Sequence, residues 1–158
     1  MEYFLKWKGK HNSYWLNKCE ECWSYYTKGI QHRNSLKCWK LGIPLSSIKD
    51  FNKAIKIIDE IIEGFNNVTY KYSTDFGILK IITKGIIIIY FESNEDMLSF
   101  IIKFKEKAKD ILKDVSFLDN IFYKFLVNTE RLDKNFYFRR GCPEYDLKFG
   151  SWKKWERV

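Results

Sequence analysis

The sequence contains few of the features that mark disorder, secretion or a membrane anchor. Proline and glycine number only two and eight among 158 residues, whereas 46% of the residues are hydrophobic, so the chain can bury a core. The longest uncharged apolar run, Ile86–Phe91, is far shorter than the roughly 18 residues of a membrane-spanning helix. No apolar segment follows the lysines of Met1–Lys10, so we expect no secretory leader, a cytoplasmic location and no membrane partner.

The sequence also lacks the short motifs of common enzyme classes. It has no glycine-rich phosphate-binding loop, no HExxH and no GxSxG, and these motifs would indicate nucleotide binding, zinc proteolysis or serine hydrolysis. Only two histidines are present, and most carboxylates lie at solvent-facing positions of predicted helices. We therefore assign no catalytic residue and favour a non-catalytic protein.

Residues 46–130 show the periodicities of a sheet covered by helices. A 3-4-3-4-3 apolar spacing predicts a helix from Ser46 or Ser47 to Gly64, and similar stripes predict helices that begin at Ser93 and Ser116. Strands are expected between the first two helices, at about 68–73, 76–83 and 86–92, and a short strand near Phe136–Phe138. The predicted class is α+β: an antiparallel sheet of three or more strands with helices on one face.

The two ends of the chain share an unusual composition. Residues 1–49 carry a net charge of +6 and residues 131–158 a net charge of +4, whereas residues 50–130 carry −2. All six tryptophans, all four cysteines and both histidines also lie in the two ends. We expect a single domain over 1–158, in which 1–45 and 131–158 form one basic, irregular lobe on the 46–130 scaffold.

The cysteines suggest a metal site within that lobe. Cys19 and Cys22 form a Cys-x-x-Cys step, which lets two thiolates reach one tetrahedral zinc ion. Cys38 and Cys142 are the first choice for the other two ligands, and His32 or His11 are the alternatives to Cys142. An iron–sulfur cluster and metal-free, buried cysteines are the competing interpretations.

Basic residues alternate with aromatic residues at both ends, a pattern typical of RNA-binding surfaces. Lysine and arginine neutralise phosphates, and aromatic rings stack on unpaired bases. We predict that phosphates contact Lys6, Lys8, Lys10, Arg33, Arg139 and Arg140, and that bases stack on some of Trp7, Trp15, Trp23 and Trp39.

The sequence therefore predicts a zinc-stabilised RNA-binding accessory protein. Two alternatives remain open. One is a small adaptor subunit that binds an acidic protein partner. This alternative is open because Trp, Tyr and Arg are also common anchor residues of protein interfaces. The other is an iron–sulfur or metal-dependent enzyme.

Overall fold

Six antiparallel strands form one sheet at the centre of the protein. The computed structural model describes residues 6–8, 11–44, 48–73, 86–112 and 128–157. Within these ranges the strand order is β1-β3-β4-β2-β6-β5. The strands are β1 (Lys6–Lys8), β2 (Trp39–Pro44), β3 (Thr69–Ser73), β4 (Ile86–Phe91), β5 (Glu130–Arg131) and β6 (Tyr137–Arg140). The α+β class and the antiparallel sheet are therefore confirmed.

Helices pack against both faces of this sheet, not against one face as expected. The described α-helices are α1 (Asn12–Thr27), α2 (Ile48–Ile62), α3 (Asn94–Lys107) and α4 (Pro143–Phe149), and 3-10 helices cover Arg33–Lys37 and Trp152–Lys154. Side chains alternate along β4, so Ile87 and Ile89 join the core with α2 and α3. Tyr90 points to the opposite face and contacts Trp15 of α1.

The two long scaffold helices follow their sequence patterns closely. Phe51, Ile55, Ile58 and Ile62 of α2 are all buried, as the apolar stripe predicts. Ser93 caps α3, because its side chain accepts a hydrogen bond from the Asp96 backbone N–H at 3.1 Å. The predicted strand at 76–83 and the predicted helix that begins at Ser116 lie outside the described residues, as do Ser46 and Ser47.

Residues 11–44 differ from their expected irregular form. The sequence predicts only a short helix near Glu20–Tyr26 within them, but α1 extends over 16 residues. The inner face of α1 carries Trp15, Cys19, Cys22 and Tyr26 instead of aliphatic side chains, so the usual apolar stripe is missing. β2 then lies between β4 and β6, which places the N-terminal segment at the centre of the sheet.

Candidate functional site

Helix α1 places Cys19 and Cys22 on its inner face. Residues three apart are neighbours on a helix surface, and Trp15, one turn earlier, is only 1% exposed. The helix ends at Thr27, and Gly29, two residues later, has φ +75°. Its N–H bonds to the Tyr26 carbonyl while Ile30 N–H bonds to the Tyr25 carbonyl, both at 3.0 Å, as in a Schellman motif.

The pairing of β2 with β6 brings Cys38 next to Cys142. Trp39 lies opposite Arg140 in the antiparallel register, so the residues just beyond this pair also meet. The Gly141 N–H donates to the Cys38 carbonyl at 2.8 Å. Gly141 has φ +64°, and this left-handed conformation turns the chain directly into Cys142.

All four cysteines line one cavity, although they come from distant parts of the chain. The cavity has a volume of about 20 Å³, and Lys18 and Tyr145 also line it. Neither His11 nor His32 is among its lining residues. His32 instead accepts a hydrogen bond from the Asn34 N–H at its Nδ1, at 3.0 Å. The cavity is large enough for one water molecule or one ion.

A buried lysine adjoins this sulfur cluster. The Lys40 Nζ lies 3.1 Å from the Cys142 Sγ and 5.1 Å from the centre of the Tyr90 ring, and the residue is 9% exposed. Burial alone would lower the pKa of Lys40, but Cys142, Tyr90 and Cys38 together raise it well above its usual value.

At least two of the thiols are neutral at physiological pH. Burial raises the pKa of Cys22 to about 11 and that of Cys38 to about 12, and the other sulfurs in the cavity raise both values. Among the described residues, no group of three or more Cys, His, Asp and Glu side chains could hold a metal ion in the positions they occupy. The sulfurs thus share a cavity without surrounding a common point.

The C-terminal segment is attached to α1 by aromatic and polar contacts. Tyr145 stacks on Tyr26 with ring centres 5.3 Å apart, and its hydroxyl donates to the Cys22 carbonyl. The Lys148 Nζ donates to the Tyr26 carbonyl at 2.6 Å. We call the described residues 11–38 and 139–157 the terminal lobe.

The described tryptophans predicted to stack on bases are packed against other side chains of the protein. Trp15 is 1% exposed, and its indole N–H donates to the Asn67 carbonyl. Trp23 packs against Tyr26 and Tyr145, and Trp39 stacks on Phe138. Trp7 belongs to β1, but its side chain lies outside the described residues.

The predicted phosphate contacts divide into buried and exposed residues. Arg139 and Arg140 are each 3% exposed, so in this conformation neither guanidinium is available to an outside phosphate. Arg139 pairs with Asp146 at 2.8 Å, and Arg140 donates to the Trp152, Trp155 and Glu156 carbonyls. Arg33 is exposed. Lys6 and Lys8 belong to β1 with side chains outside the described residues, and Lys10 lies outside them altogether.

Lys40 and Tyr145 are the residues of this site that sequence patterns did not identify. Lys40 resembles the other basic residues of the N-terminal segment, and no motif singles out Tyr145. Lys40 is the only charged residue between Cys38 and Pro44. A single lysine in an otherwise apolar strand, two positions after a cysteine, is the signal that could have indicated its burial.

The chain matches no protein-family model and no curated protein. Within the described part of the chain, no helix is both long enough and apolar enough to cross a membrane.

Proposed function

We propose that this protein is a non-catalytic RNA-binding accessory protein, which contacts phosphates through exposed cations of the terminal lobe. The supporting observation is the sign of the charges on this lobe. Among its exposed side chains, seven are basic and four are acidic. The basic set comprises Lys28, Arg33, Lys37, Lys148, Lys153, Lys154 and Arg157. Such an excess attracts phosphates over about one Debye length, roughly 8–10 Å at physiological salt.

Tyrosines, rather than the packed tryptophans, are the candidates for base stacking in this proposal. Tyr14 is 37% exposed and Tyr25 is 40% exposed. The Lys28 Nζ lies 5.3 Å from the centre of the Tyr25 ring, so this ring and a cation share one surface. An aromatic ring beside a cation can stack on a base while the cation meets the phosphate.

Charge reversal at two exposed positions tests the proposal. In Arg33→Glu/Lys37→Glu, we expect affinity for a fluorescein-labelled single-stranded RNA of roughly 20 nucleotides to fall on the order of tenfold. The plot of log affinity against log salt should become less steep by about 1.4, since each phosphate contact on a single strand contributes about 0.7. Fluorescence anisotropy at several salt concentrations measures both quantities.

The matched control is Lys56→Glu/Lys109→Glu, which changes the net charge equally at exposed positions of the scaffold. We expect this variant to weaken RNA binding less than about twofold, because these lysines lie outside the terminal lobe. Equal losses in the two variants, or an affinity that does not change with salt, would contradict the proposal.

An adaptor that binds an acidic protein is the second candidate. It is favoured by the exposed apolar side chains of the N-terminal segment, Leu16 at 45% and Ile30 at 51%, because apolar side chains beside cations are common at protein interfaces. Weak RNA binding, together with a stoichiometric protein complex that survives high salt, would support the adaptor instead.

A further inference from the structure

We propose that the cavity lined by Cys19, Cys22, Cys38 and Cys142 is a structural zinc site, with one zinc ion bound by the four thiolates. This proposal does not depend on RNA binding.

The ligands come from three parts of the fold that are already in contact. Cys19 and Cys22 are a helical pair on α1, Cys38 directly precedes β2, and Cys142 lies two residues after β6, where the Gly141 N–H bonds to the Cys38 carbonyl. Zinc requires sulfurs at about 2.3 Å in a tetrahedron. Because the sulfurs share a cavity without yet surrounding a common point, binding involves rotation of side chains. One change of χ1 rotamer moves a cysteine sulfur by roughly 3 Å.

The interior of the cavity has room for a single ion. Its volume of about 20 Å³ accommodates a water-sized probe. The cavity is also partly open to solvent, so metal analysis, not cavity size, distinguishes a zinc ion from an iron–sulfur cluster.

The charge beside the cavity suits a zinc tetrathiolate. One zinc ion with four thiolates carries a net charge of −2, and the four thiol protons leave to solvent when the ion binds. The Lys40 Nζ lies 3.1 Å from the Cys142 Sγ, and Lys18 lines the same cavity while its Nζ pairs with the Glu92 carboxylate at 3.6 Å. Among the described residues, no carboxylate is paired with Lys40. Its ammonium is therefore positioned to donate a hydrogen bond to a ligating sulfur.

Such a site explains why the two ends of the chain carry the cysteines. Cys142 is 104 or more residues from each of the other three. A zinc ion bound to all four would cross-link the terminal lobe and stabilise it against separation of its two segments, because it binds only when the segments meet.

Metal analysis of the purified full chain tests the site. We expect one zinc per chain by inductively coupled plasma mass spectrometry, and release of that zinc as a mercurial reagent titrates four thiols. A protein without zinc but with four titratable thiols would overturn the proposal. Stoichiometric iron with a brown colour would also overturn it, in favour of a cluster.

Single Cys→Ser variants test the ligand set, and each is expected to lose most of the bound zinc. The controls are His32→Ala and His11→Ala, which should retain one zinc per chain because neither histidine lines the cavity. Loss of zinc in a histidine variant, with retention in Cys142→Ser, would overturn the four-cysteine set. X-ray absorption of the zinc in the wild-type protein tests the same ligand set without a variant that might misfold, because a histidine ligand would appear as nitrogen at about 2.0–2.1 Å.

Replacement of Lys40 tests its role as a donor to the ligating sulfur. In Lys40→Met we expect zinc affinity, measured by competition with a chromophoric chelator, to fall by at least about tenfold. The control is Lys37→Met, since Lys37 is exposed and should leave zinc affinity unchanged. Equal affinities in the two variants would overturn the role of Lys40.

Discussion

Replacement of Gly141 by alanine tests the packing of the turn that connects β6 to the C-terminal helix α4. Gly141 has φ +64°, and a Cβ atom at this position would lie 2.8 Å from Cζ3 and 2.9 Å from Cη2 of the Trp155 ring. Ordinary contacts of a Cβ atom begin near 3.4 Å. The Trp155 side chain is 7% exposed, and its indole N–H donates to the Gly150 carbonyl at 2.9 Å. The ring therefore has little freedom to move away.

Two separate costs determine the size of the effect. A non-glycine residue in the left-handed region costs about 1–2 kcal/mol. Overpacking against a buried ring adds about 1–3 kcal/mol. We therefore expect Gly141→Ala to lower the free energy of unfolding by about 2–5 kcal/mol.

Urea denaturation, followed by tryptophan fluorescence and circular dichroism, measures the loss. Gly29→Ala is the matched control, because Gly29 has φ +75° but no heavy atom within 4 Å of the place that the new methyl group would occupy. In Gly29→Ala the free energy of unfolding should fall only by the cost of a non-glycine residue in the left-handed region, about 1–2 kcal/mol. Gly141→Ala combined with Trp155→Leu should lose less than the sum of the two single variants, since the smaller side chain relieves the contact.

Equal losses of unfolding free energy in Gly141→Ala and Gly29→Ala would show that the contact with Trp155 adds no cost. That result would mean that Trp155 does not pack on the turn before Cys142. Strict additivity of Gly141→Ala and Trp155→Leu would lead to the same conclusion.

Three further variants test individual contacts of the fold. Arg140→Met should cost about 2–4 kcal/mol in urea denaturation, because it leaves three C-terminal carbonyls without their buried donor. Ser93→Ala should cost about 1 kcal/mol, since the Asp96 N–H loses its cap. Burial would raise the pKa of Asp133, but the hydrogen bond from Lys105 lowers it overall. This carboxylate therefore adds stability above about pH 4 that is lost on further acidification. Asp133→Asn should accordingly flatten the acid limb of a plot of unfolding free energy against pH.

The scaffold was predictable because its signals are local and periodic. The stripe that includes Phe51, Ile55 and Ile58 could bury itself only as one face of a helix, and Ser93 with Asp96 marks a helix start. The apolar pattern at Ile86–Phe91 likewise required cover on both sides, and β4 lies inside the sheet between β3 and β2.

The form of the terminal lobe was not predictable from periodicity. The inner face of α1 uses Trp15 and Cys19, residues that also suit irregular metal-binding loops, so the pattern did not distinguish helix from loop. The burial of Arg139 and Arg140 could not be predicted from the sequence either. Their partners, Asp146 and the carbonyls near Trp152, are brought to them only by tertiary folding.

The meeting of Cys19, Cys22, Cys38 and Cys142 in one cavity is the part of the site that composition predicted best. Clustering of cysteines and tryptophans at both ends indicated a shared lobe, although it contained no information on geometry. Lys40 could not be placed by the same reasoning, because a lysine in a basic segment resembles a surface residue until its register opposite Tyr90 is known.

X-ray absorption at the zinc edge of the metal-loaded full chain would show whether four thiolates bind the ion. We expect four sulfurs at about 2.3 Å from the zinc, which requires that α1, β2 and the turn after β6 converge on one ion. A shell that contains nitrogen or oxygen at about 2.0–2.1 Å, or fewer than four sulfurs, would contradict it.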